Sequence, residues 1–146
     1  RFVTQLTKRI LTIMEKNNYG HILNIGSTGS FIPSPSDAVY SATKAYIMSF
    51  SNALYGEYRH TGIKITLLCP GATKTEFARK ANIEQTLLFK VAVMKPEQVV
   101  KIAYPKIVRG KRLIIPGLYN KFLIFCSKIM PLNITNKLTM IMMNNY

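Results

Sequence analysis

His21-Ile22-Leu23-Asn24-Ile25-Gly26-Ser27-Thr28-Gly29-Ser30 is the stretch on which the fold turns. Its first half is an apolar run of strand length, and its second half is the small-residue stretch in which a buried strand ends. Upstream, Phe2, Leu6, Ile10, Ile13 and Met14 recur at spacings of three and four. They predict an amphipathic helix over 1–16, stopped by Asn17-Asn18-Tyr19-Gly20. Downstream, past Pro33 and Pro35, residues 38–60 predict a second helix that buries Ala42, Ala45, Tyr46, Ser49, Phe50, Ala53 and Leu54. Residues 63–69 are a second apolar run rich in β-branched side chains, broken by Pro70-Gly71. Pro96 opens a third helix with Val99, Val100, Ile102 and Ala103 inside it, and Pro105 predicts a kink or break. Leu113-Ile114-Ile115 is the third strand, closed by Pro116-Gly117. Residues 76–90 are helix-capable but weakly patterned and read as a mobile flap.

Strands separated by helices make this an α/β chain, with a parallel sheet covered on both faces. Its 146 residues suit one domain, and 48% apolar against 18% charged residues excludes wholesale disorder. Three strands are few for such a sheet, so the architecture looks cut. Cys69 and Cys126 form no disulfide framework, and no Cys/His spacing suggests a metal. A reducing, cytoplasmic compartment is the default. No basic-apolar-small leader follows Arg1, and the chain reads as starting mid-protein. Net charge is +14, and from Gln98 to Tyr146 there are eight basic residues and no acidic one. Such a stretch suits an anionic membrane surface or nucleic acid, or is simply solvated. No nucleic-acid-binding module is visible, so nucleic acid is not expected as a partner. No apolar run reaches the length of a membrane span.

Tyr40 and Lys44 lie four apart near the start of the second helix and share one face. Ser27 precedes them at the end of the first strand. A tyrosine of pKa ~10 serves as acid or base only when its surroundings bring it toward neutrality. A three-unit shift asks about 4 kcal/mol of them. A lysine one turn away supplies part by Coulomb attraction in a sheltered site. The bland reading makes Ser27 a turn residue, Tyr40 a half-buried aromatic and Lys44 a solvated lysine. His21 and His60 have no metal-spaced partner and read as strand-end or surface residues, and Cys69 reads as a small buried one.

Asn24-Ile25-Gly26-Ser27, Tyr40-Ser41-Ala42-Thr43-Lys44 and Cys69-Pro70-Gly71-Ala72-Thr73-Lys74-Thr75 together resemble the short-chain dehydrogenases/reductases, in order and spacing. The resemblance implies a Rossmann-type, doubly wound parallel sheet and a nicotinamide cofactor, NAD or NADP. It assigns Ser27, Tyr40 and Lys44 to catalysis. It assigns Tyr40, Lys44, Pro70, Gly71, Thr73 and Thr75 to the cofactor, with Thr73 by its backbone and Thr75 by its hydroxyl on the carboxamide. The substrate is then a small carbonyl or alcohol. The flap, 76–94, with Phe77, Leu87, Leu88, Phe89 and Met94, favours an apolar one. The family commonly pairs into homo-oligomers through the helix bearing Tyr40 and the one before it.

The glycine-rich turn and the residue sorting NAD from NADP stand, in that family, ahead of the region matched here. Residues 1–117 therefore read as the C-terminal half of a Rossmann-type domain, and 118–146 as a basic, apolar helical extension. The chain as given is expected to be truncated and inactive, poorly soluble, and unable to bind a dinucleotide tightly. The strand at 21–25 would keep one edge unpaired. The alternative is a non-catalytic protein derived from such an enzyme. It would work at a membrane surface, through peripheral contact of the extension, or as an interaction protein.

Overall fold

The computed structural model describes residues 1–35, 37–80 and 84–143. Helix α1 (Phe2–Asn17) ends where Asn18 turns left-handed, at φ 45°. Tyr19 N–H donates back to the Met14 carbonyl at 3.2 Å, satisfying an otherwise orphaned helix-end acceptor. Strand β1 (Gly20–Ile25), helix α2 (Ala38–Tyr58) and strand β2 (Ile63–Leu68) follow. Two short helices, α3 (Glu76–Lys80) and α4 (Leu87–Ala92), occupy the expected flap. Residues 81–83 and the side chain of Phe77 lie outside the described residues. Helix α5 (Pro96–Val108), strand β3 (Leu113–Ile114) and helices α6 (Leu118–Ile129) and α7 (Leu132–Met143) complete the order.

The sheet runs β1-β2-β3, all parallel, with Ile22 opposite Ile65, Ile25 opposite Leu68 and Leu67 opposite Leu113. Alternation along β2 splits its side chains between two cores. Ile63 and Ile65 pack with Leu11 of α1 and Leu54 of α2, while Leu68 packs with Ile114 and with Val99 and Ala103 of α5. The result is a sheet with helices on both faces. No helix among the described residues is long and apolar enough to cross a membrane.

Four expectations change. Of the kink or break expected at Pro105, the break does not occur, because α5 continues to Val108. The bond lost at Pro105 falls in the last turns, while Val99 and Ala103 stay anchored on the sheet. Helix α2 buries Ser41, Ser51 and Leu54, with Phe50 against the core; Ala42, Tyr46, Ser49 and Ala53 face outward. Its apolar residues run round the whole helix, so tertiary contact and not periodicity chose the face. On α1 the buried residues are Thr7 and Leu11, Met14 packs against the same core as expected, and Phe2, Leu6 and Ile13 are exposed. In β1 only Asn24 is buried. Leu23 and Ile25 alternate away from the core holding Ile22 and stay exposed.

Candidate active site

The carboxyl ends of β1 and β2 build the site, the usual ligand position in an open parallel sheet. Gly26 N–H donates to the Leu68 carbonyl at 2.8 Å and Thr28 N–H to the Pro70 carbonyl at 2.9 Å, tying the two strand ends together. A Cβ on Gly26 would lie 2.7 Å from Cys69 Sγ, so a larger residue would wedge the ends apart. Ser27 caps the single 3-10 turn Thr28–Ser30: its Oγ accepts from Gly29 N–H at 3.1 Å, and Ser30 Oγ accepts from Ser27 N–H at 3.1 Å. Accepting uses a lone pair and fixes the rotamer, leaving the Ser27 O–H as a donor.

Tyr40 and Lys44 stand one turn apart on α2, with Lys44 Nζ 5.5 Å from the Tyr40 ring centroid. Lys44 also donates to the Ile25 carbonyl at 3.0 Å, which pins α2 to the end of β1. Burial pulls the Lys44 ammonium below the ordinary lysine value, and Cys69 nearby opposes that shift. Burial likewise pushes the Cys69 thiol up to about 11, against the Ser27 backbone, the Ser30 hydroxyl and Lys44. At neutral pH Cys69 is a thiol, a packing residue rather than a nucleophile.

After Pro70 the chain is braced by its own threonines. Thr73 Oγ1 donates to the Gly71 carbonyl at 3.0 Å, and Thr75 Oγ1 donates to the Thr73 carbonyl at 3.4 Å and accepts from Ala78 N–H at 3.3 Å. Met94 closes the loop from the far side, donating to the Ala72 carbonyl at 2.9 Å and accepting from Lys74 N–H at 3.0 Å. Gly71 lies against Asn120 of α6, whose amide donates to the Pro116 carbonyl at 2.7 Å.

Ser27, Tyr40, Lys44, Pro70, Gly71, Thr73 and Thr75 all line one cavity of about 1020 Å³. Its other walls are mostly apolar, from Leu88 and Phe89 of α4, Leu123 of α6 and Met130 just after it, and Leu138 and Met142 of α7. His21 bonds Thr66 at 2.9 Å and His60 accepts from Arg59 at 2.9 Å; neither lines the cavity. Sequence reasoning missed Asp37, Cys126 and Thr135 in the wall and Asn120 behind Gly71. The only signal for Asn120 was its place four residues before Ile124 on the inward face of a helix.

A family model described as short chain dehydrogenase matches residues 3–86. The chain belongs to that family. It is 40% identical over 106 residues to a short-chain type dehydrogenase/reductase of Sinorhizobium fredii, covering 70% of this chain and 43% of that one. It is 39% identical over 84 residues to mouse 17-beta-hydroxysteroid dehydrogenase type 3, covering 58% of this chain and 28% of that protein. Among solved structures, a short-chain dehydrogenase from Sphingobium yanoikuyae in complex with NADPH is 30% identical, at a TM-score of 0.71 over 80% of this chain and 44% of that one. A 7beta-hydroxysteroid dehydrogenase shares the fold at 23% identity, at a TM-score of 0.78 over 94% of this chain and 54% of that one. The chain thus spans about half, or less, of the length of the proteins it matches.

Proposed function

We propose that this chain carries the reacting end of an NAD(P)-dependent oxidoreductase that interconverts a bulky, apolar ketone and its secondary alcohol. The observation that carries the reading is the meeting of Ser27, Tyr40, Lys44 and the 70–75 loop in one cavity whose remaining walls are mostly apolar. At about 1020 Å³ the cavity is at the upper end of ligand pockets, with room for a nicotinamide and a large substrate side by side. The hydroxysteroid substrate in the name of the mouse relative points to the same substrate class.

The polar end suits a nicotinamide group. Gly26, Ser27, Gly71 and Ala72 keep the wall small, while Lys44, Thr73 and Thr75 bring polar atoms to it. When bound, such a cofactor supplies or accepts the hydride. Tyr40 gives its phenolic proton to the substrate oxygen in reduction and takes it back in oxidation. Lys44, when protonated, favours the tyrosinate by Coulomb attraction. The Ser27 O–H donates to the same substrate oxygen and holds it within reach of Tyr40. The exposed faces of α1 (Phe2, Leu6, Ile13) and α2 (Ala42, Tyr46, Ser49, Ala53), joined by the 2.6 Å bond between Thr4 and Tyr46, suit pairing with a second copy. Two unpaired cysteines suit a reducing, cytoplasmic setting.

The test is turnover in a chain completed with the dinucleotide-binding half of a relative. Tyr40→Phe is expected to lower ketone reduction by about 10²–10⁴ with little change in cofactor affinity. Near-normal turnover would remove Tyr40 from the chemistry. Reduction of small polar sugars alone would overturn the substrate class.

A further inference from the structure

Helix α6 presents two unlike faces. Asn120 and Ile124 point into the molecule and are buried. On the opposite side Leu118, Phe122, Phe125 and Ile129 are 82, 62, 61 and 67% exposed. Their spacings of four, three and four place them within about 60° of helix circumference, one continuous apolar stripe. Scattered exposed apolar residues are ordinary; a row of four large ones with two aromatics marks a contact surface. Lys121 and Lys128, seven residues apart, flank the same edge of the stripe, Lys128 also lying 5.8 Å from the Phe31 ring centroid. Exposed Leu132 begins α7 just beyond it.

We infer that α6 lays this stripe on an anionic lipid surface, its rings among the headgroups and Lys121 and Lys128 against the anionic groups. Charge selects this occupant. From Gln98 onward the chain has no acidic residue, so two copies meeting through α6 would oppose lysine to lysine with no carboxylate from this region between them. An anionic bilayer supplies the opposite sign and an apolar layer together, and an interfacial amphipathic helix uses both. The contact is peripheral. Twelve residues reach only about 18 Å, against a hydrocarbon core of about 30 Å. The surface lies outside the cavity's polar end, and the inference does not depend on the reaction.

The chain has no tryptophan, so Phe125→Trp places a single indole on the stripe and reports directly. With phosphatidylcholine vesicles containing roughly a third phosphatidylserine, the full chain carrying Phe125→Trp should show a blue-shifted emission, quenched by lipids brominated near the headgroup. Added salt should weaken the binding, and pure phosphatidylcholine should give little. Lys121→Gln with Lys128→Gln should weaken binding about 25-fold, about fivefold for each charge removed. Lys8→Gln with Lys16→Gln, the same change of net charge on α1, should cost far less. Equal losses from the two lysine pairs would reduce the effect to net charge and overturn the inference. Equal binding to neutral vesicles would overturn it as well. So would a Phe122→Ser, Phe125→Ser variant, shown folded by circular dichroism, that still binds fully. If that variant instead loses an oligomer, measured by sedimentation without lipid, the stripe is a protein interface and not a membrane one.

Discussion

Replacing Gly71 by Ala tests whether the strand-end loop is held from behind by α6. A Cβ there would lie 2.3 Å from Asn120 Oδ1 and 2.6 Å from its Cγ and Nδ2, where ordinary contact begins near 3.4 Å. The Asn120 amide has little freedom to yield, being 3% exposed and bonded to Pro116 at 2.7 Å. It must move by about 1 Å and surrender that bond, so Gly71→Ala is expected to cost about 1–3 kcal/mol. Asn120→Ala alone loses the bond and leaves a void, about 2–4 kcal/mol together. In the Asn120→Ala background the three clashing atoms are gone, and the new methyl at position 71 enters the vacated space. The double variant should therefore be no less stable than Asn120→Ala, a coupling of about 1–3 kcal/mol. Urea unfolding followed by far-ultraviolet circular dichroism measures all four corners of the cycle. Costs that add to within about 0.5 kcal/mol would refute the contact as the reason for glycine at 71.

Burial, with Lys64 nearby, holds the His21 imidazole below 6.5 in the folded chain. The unfolded chain takes up the proton first as pH falls, so stability is complete above pH 6.5 and declines below it; His21→Gln should flatten that acid limb in urea titrations. The hydrogen bond to Glu15, with burial and the Glu15 and Glu57 charges, pushes Tyr58 up to about 12. Its contribution is complete below pH 10 and lost as pH rises toward 12, and Tyr58→Phe should remove that alkaline limb from melts. Ile114→Ala, in the core shared with Leu68, Val99 and Ala103, should cost about 2–5 kcal/mol at an unchanged urea m-value.

Strand and helix order was legible because period and punctuation agreed. Asn18 did stop α1 in the left-handed conformation, and Pro70-Gly71 did end β2. The meeting of Ser27, Tyr40, Lys44 and the 70–75 loop was legible only through the family resemblance of their three motifs, since the Tyr40–Lys44 spacing alone recurs by chance; in the structure these residues line one cavity at the strand ends. What escaped depends on contacts between distant segments. Helix α2 carries apolar residues all round, so its contacts with the sheet, Ser51 with Asn24 of β1 and Leu54 with Ile63 and Ile65 of β2, decide that this face turns inward and Tyr46 does not. The cavity wall from α6 and α7 lies beyond the quoted motifs, and nothing local says that Met130 and Leu138 would line the same cavity as Tyr40. Leu23 and Ile25 read as buried because their composition is strand-like; their exposure follows from α5 covering only the β2 and β3 side of that face.

The two thiols divide the molecule into two clocks. Cys69 directly follows β2, fully enclosed and held protonated until strongly alkaline pH, so an alkylating reagent reaches it only when the sheet itself opens. Cys126 stands in the cavity wall on α6, and a reagent reaches it through the space a substrate would fill. Timed labelling of one chain thus separates breathing of the scaffold from occupancy of the cavity. A ligand that slows Cys126 alone is sitting in the cavity; one that slows both has stabilised the sheet as well.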